Sequence, residues 1–125
     1  MAIVIGVGFR AATTGRDLYA AMASAIAAVG KSWQEVAVVA TTSRRVGHVA
    51  LEGLTVPVEF HDPALLARID TPGRSAAVAA LAGTASVAEA AALASSLGGT
   101  LLAPKRCAAG ICTAVSRRPE MKVSP

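Results

Sequence analysis

Residues suited to holding an anion gather at three places in this chain. One is Gly6-Val7-Gly8-Phe9-Arg10, and another is Thr41-Thr42-Ser43-Arg44-Arg45. A guanidinium offers a planar fork of donors that matches a carboxylate or phosphate, and small or hydroxylated neighbours let backbone N–H groups approach the same oxygens. The third is the start of GTASVAEAAALASSLGG, residues 83–99, with Gly83, Thr84, Ser86, Val87 and Glu89. Ser86 and Glu89 stand in the S-x-x-E spacing of a capping box, in which each side chain satisfies a backbone donor at a helix start. That reading makes Glu89 structural. It leaves the backbone N–H groups of the Gly83–Val87 loop for a ligand's oxygens.

Other chemistries fit less well. A dinucleotide site would need a third glycine opening the helix after Gly8 and an acid ending the second strand, but that strand ends in Ala-Thr-Thr-Ser-Arg-Arg. No P-loop pattern is present. His48 and His61 have no ligand-spaced partner, so each reads as a loop or surface residue and no metal site is expected. Two cysteines are too few for a disulfide scaffold or a structural zinc. Cys107 and Cys112 would face each other across a hairpin with a two-residue loop at Ala109–Gly110, able to bridge on oxidation but expected as a thiol pair. No Ser/His/Asp or Cys/His set can be assembled, and no cofactor is implied.

The elements that would position these residues follow from patterning. AIVIGVGF, residues 2–9, is a short apolar run rich in β-branched residues, as in a strand covered on both faces. ATTGRDLYAAMASAIAAVGK predicts a helix capped by Thr13 or Thr14, with Asp17 in its first turn and Gly30 ending it. EVAVVAT, residues 35–41, is a second buried strand, which makes a right-handed parallel βαβ unit. One or two helical turns precede a third strand at 56–60. Asp62 and Pro63 then open a helix in DPALLARI, and TPGRSAAVAALAG predicts another over 71–83. After the Glu89 helix, TLLAPKR and ICTAVSR read as a terminal β-hairpin. The whole predicts an α/β fold: one three-layer α/β/α domain with a mixed, mostly parallel sheet of about five strands and a C-terminal hairpin. In such a sheet ligands sit beyond the carboxyl ends of the strands, which is where Gly8–Arg10 and Thr41–Arg45 are delivered.

Composition narrows the partners. The chain has 125 residues, 54% hydrophobic and only 3% aromatic, so its core must be aliphatic. A formal charge of +4 favours anionic partners. Nucleic acid is disfavoured, because Phe9, Tyr19, Trp33 and Phe60 are too scattered to stack bases and no basic run exceeds two residues. The N-terminus lacks the basic segment and longer apolar stretch of a signal peptide, and no run is long enough to span a bilayer. A cytoplasmic protein with no membrane or nucleic-acid partner is expected; oligomeric state stays open.

Several stretches together resemble the CobE family, which is similar to the C-terminal domain of CbiG, both of cobalamin biosynthesis. They are IGVGFR with the Thr-Thr that follows, the Val-Ala-Thr ending strand two, GTASVAEAAALA, LLAPKR and TAVSR. The most specific is Gly-x-x-Ser-Val-x-Glu-Ala-x-Ala-Leu followed by a strand ending in lysine. The resemblance implies shared positions at Gly6, Gly8, Arg10, Thr41, Gly83, Ser86, Val87, Glu89, Lys105 and Thr113. Relatives usually carry a lysine after strand two, where Arg44 or Arg45 stands here, and a longer acidic helix than this chain has before Pro57. The resemblance implies binding of a precorrin or other corrinoid intermediate in an accessory or carrier-like role, with other enzymes of the corrin pathway as possible partners. The alternative it implies is an enzyme acting on a precorrin, like the full-length CbiG that opens a lactone and releases acetaldehyde.

Overall fold

The computed structural model describes residues 2–69 and 84–119, with the backbone alone for 84–86. The helix expected over 71–83 therefore lies outside the described residues, as does Gly83. Five strands form one sheet in the order β3-β2-β1-β5-β4: β1 (Ala2–Phe9), β2 (Val36–Thr42), β3 (Val58–His61), β4 (Leu101–Ala108) and β5 (Ile111–Arg118). β1 pairs in parallel with β2, and β2 with β3. β5 runs antiparallel to both β1 and β4. Four strands thus share one direction and β5 alone opposes them.

The alternation of side chains on β1 builds two cores at once. Ile3, Ile5, Val7 and Phe9 pack with Leu18, Met22 and Ile26 of α1 (Gly15–Ala28) on one face. Val4 points the other way, to a cluster with Val38, Ala40, Ala90 and Ala91 that also takes Leu66 of α2 (Pro63–Ala67). Ala90 and Ala91 belong to α3 (Thr84–Ala94), so the order of layers is helix, sheet, helix. Alanine on α3 permits close approach, and Gly6 completes it. A Cβ at Gly6 would stand 2.0 Å from the Ala88 carbonyl oxygen and 2.6 Å from the Ala92 nitrogen.

Local chemistry sets the element ends. Thr14, rather than Thr13, caps α1, its hydroxyl accepting from the Asp17 N–H. Gly30 has φ +69°, and its N–H and that of Lys31 return to the carbonyls of Ala27 and Ile26, a Schellman closure. Asp62 caps α2 through the Ala64 N–H, with Pro63 at the first position. Between β2 and β3 the chain makes two short 3₁₀ turns, Ser43–Arg45 and Val49–Leu51. Ala109 and Gly110 both lie at positive φ, 53° and 78°, as a two-residue hairpin turn between right-twisted strands requires.

Two expectations change. Cys107 and Cys112 are directly paired across the hairpin as expected, but they are joined in a disulfide rather than held as thiols. The cross-strand register brings their Cα atoms to 4.1 Å, which places the sulfurs within bonding reach. His61 is not in a loop. It ends β3, half-buried, with Nε2 2.7 Å from the Ser95 hydroxyl. Among the described residues no helix is long and apolar enough to cross a membrane.

Candidate functional site

The carboxyl ends of β1 and β2 and the β4–β5 turn meet at one rim, and Phe9 organises it. The ring of Phe9 belongs to the core beneath α1. Its carbonyl oxygen accepts two bonds from Arg45, from Nε at 3.0 Å and Nη2 at 2.8 Å. The Arg45 guanidinium also lies over the ring, 5.5 Å from its centroid. His48 meets the same ring edge-on at 5.0 Å. Its Nδ1 accepts from the Ala50 N–H, so Nε2 carries the proton and donates to the Ala11 carbonyl at 2.8 Å. The Thr13 N–H closes on the Arg10 carbonyl at 3.0 Å. The loop after β1 is therefore held from three sides, with the carbonyls of Phe9, Arg10 and Ala11 each accepting a hydrogen bond.

That leaves Arg10 and Arg44 as the outward cations of the rim. Both are exposed, and the side chain of neither makes a hydrogen bond or ion pair with any described residue. The stem of Arg10 lies against the hairpin turn, where a Cβ on Gly110 would stand 3.0 Å from Arg10 Cδ. Arg45, by contrast, spends its fork on the protein's own backbone, so it positions the rim.

Other sequence-singled residues fall elsewhere. Gly6 and Thr41 are buried within the sheet; the Thr41 hydroxyl donates to the Val7 carbonyl at 2.8 Å and ties β2 to β1. Gly8, buried, pairs with Cys112 one step inside the rim, and the Thr42 hydroxyl accepts from the Arg44 N–H to start the 3₁₀ turn. Thr113 lines a groove of about 420 Å³ between α1 and the hairpin, with Asp17, Ser24 and Arg106. Val87 packs against the opposite core, under α3. The expected site residues thus divide between the rim and both faces of the sheet.

Glu89 is the main correction. α3 already runs from Thr84, so Ser86 lies inside the helix, not at its N-cap position. Glu89 is fully buried and its Oε2 accepts the backbone N–H of Lys105 at 3.2 Å. The β4–β5 register explains why. Ala103 faces Val115 and Arg106 faces Thr113, so Pro104 and Lys105 bulge opposite one residue of β5. Proline brings no N–H to such a bulge, and the N–H of Lys105 turns to the carboxylate.

Sequence reading also missed a cluster at the far end of α3. Arg118 donates from Nε and Nη2 to the Ser95 carbonyl, at 3.2 and 2.8 Å, and lies 3.9 Å from the Glu59 carboxylate. With the His61–Ser95 contact, this clamps β3, α3 and β5 together. Ser95 is about 1% exposed, which denies its hydroxyl to an external substrate. Its only sequence cue is the i, i+2 placement of Glu59 and His61 on one strand face. Among the described residues no group of three His, Cys, Asp or Glu is disposed around a metal position.

The same architecture recurs in solved structures. CobE, a protein from the cobalamin (vitamin B12) biosynthetic pathway, is 26% identical, with 92% of each chain covered and a TM-score of 0.71. The cobalamin biosynthesis protein chiG from Agrobacterium tumefaciens strain C58 is 24% identical, covering 94% of this chain and 99% of that one, TM-score 0.64. A cobalamin biosynthesis protein G homolog from Sulfolobus solfataricus is 16% identical with a TM-score of 0.75; the match takes in 95% of this chain but 37% of the archaeal one. No curated protein matches significantly in sequence. The family model for the cobalamin synthesis G C-terminus matches residues 3–116, and the chain belongs to that family of cobalamin biosynthesis.

Proposed function

We propose that the protein binds a precorrin or other corrinoid intermediate at the rim formed by the ends of β1 and β2, in an accessory or carrier-like role. The observation that carries this reading is the pair of outward guanidinium groups, Arg10 after β1 and Arg44 after β2, at a rim where the carbonyls of Phe9, Arg10 and Ala11 already accept hydrogen bonds. A corrin precursor is a polycarboxylate around a broad apolar ring. Two cations beside an apolar, small-residue surface suit its peripheral carboxylates. Family membership supports the pathway, and the fold supports a ligand at this edge of the sheet.

The test is titration calorimetry with a purified precorrin-type polycarboxylate at physiological salt. Arg10→Ala and Arg44→Ala are each expected to weaken binding about tenfold, since a charge-assisted contact contributes about 1.5 kcal/mol. Unchanged affinity in both variants takes the rim out of the site. Acetaldehyde released from a lactone-bearing precorrin would instead show turnover and replace the carrier role by an enzymatic one.

A further inference from the structure

We propose that the Cys107–Cys112 disulfide is a thiol-exchange site, attacked by small-molecule thiols at Cys107 and releasing Cys112. The two sulfurs sit in opposed surroundings. Cys107 is exposed on β4, an edge strand with no described strand beyond it. Cys112 is 4% exposed, on β5 between two strands, and packs with Ala88 and Ala92 of α3 and with Ala114. Exchange needs the incoming thiolate, the attacked sulfur and the leaving sulfur nearly in line. An approach to Cys107 along that line comes from outside the sheet edge. An approach to Cys112 would have to come from the side of β1, where Gly8 pairs with it, beneath α3.

The bridge also does little that the hairpin does not do for itself. It joins residues only five apart, so it removes little chain entropy. The register is held by the β4–β5 ladder and by a turn whose two residues already have the left-handed conformation it needs. Opening it therefore leaves the fold in place.

In the exchange a thiolate RS⁻ forms an RS–Sγ bond to Cys107. The Sγ–Sγ bond breaks, and its electron pair leaves on Cys112, which takes up a proton. A second thiolate attacks the R-group sulfur, yielding RSSR and the Cys107 thiolate, which is then protonated. Two external thiols are oxidised to one disulfide while the protein's disulfide is reduced to two thiols.

The test uses the intact chain. Native protein treated with glutathione is quenched in acid with N-ethylmaleimide and mapped by mass spectrometry, with circular dichroism followed in parallel. The expected result is glutathione on Cys107, maleimide on Cys112 and an unchanged spectrum. In separate variants, Cys112→Ser is expected to take up glutathione from its disulfide at least tenfold faster than Cys107→Ser. Glutathione mapped to Cys112, equal rates in the variants, or a bridge that dithiothreitol opens only in guanidinium would each overturn the proposal.

Discussion

Arg10 and Arg45 carry the same charge at the same rim and do different work. Arg45 gives two bonds to the Phe9 carbonyl and covers its ring, so Arg45→Ala is expected to destabilise the protein by about 1.5–3 kcal/mol in urea unfolding. Arg10→Ala removes a side chain without bonded partners among the described residues and should stay within about 0.5 kcal/mol of the parent. Glu89 is expected to matter for the fold more than Ser86 does. Glu89→Ala removes the carboxylate that accepts the Lys105 N–H and opens space under α3, a loss of about 3 kcal/mol. Ser86 stands inside α3, not at its N-cap position. Equal thermal shifts for Glu89→Ala and Ser86→Ala would contradict this assignment. At the turn, Ala109 occupies φ 53°, where an L side chain is strained, so Ala109→Asn is expected to raise stability by about 0.5–1 kcal/mol.

At the scale of elements, α3 is placed by what β1 lacks. Gly6→Ala would drive a methyl group into the backbone at Ala88 and Ala92, atoms with no rotamer to escape by. A loss of about 3 kcal/mol or more is expected, visible as a lowered urea midpoint. The far end of α3 is tied to β3 through His61 and Ser95 and to β5 through Arg118. A double-mutant cycle on His61→Ala and Ser95→Ala should return a coupling of about 0.5–1.5 kcal/mol. Additive effects would mean that the two side chains do not support each other.

For the whole molecule, both cores share β1, so neither helical layer can leave without exposing the central strand. Unfolding is expected to be a single transition, with fluorescence of Trp33 and far-ultraviolet circular dichroism coinciding in denaturant. A corrinoid that binds only the folded chain should raise the melting temperature, with about 2.7 kcal/mol of added stability at a hundred times its Kd. Arg10→Ala should shrink that increment without changing the melting temperature of the free protein.

Local sequence chemistry determined the elements, because their causes lie within a few residues. The apolar runs of β1 and β2, the Thr14 and Asp62 caps, the Gly30 closure and the Ala109–Gly110 turn are all short-range effects. The spacing of the glycines in GVGFR did not reveal that a helix approaches Gly6. Tertiary structure decided the partners. An S-x-x-E spacing is satisfied equally by a cap and by a residue turned inward, and the bulge of β4, sixteen positions away, offered Glu89 an N–H to accept. Arg44 and Arg45 are adjacent and alike in sequence, yet the path of the 3₁₀ turn sends one to the Phe9 carbonyl and leaves the other to solvent. His61 and Ser95 stand 34 positions apart, a pairing no local pattern encodes. Periodicity records which face a side chain takes, whereas the group it meets there depends on how distant segments are stacked.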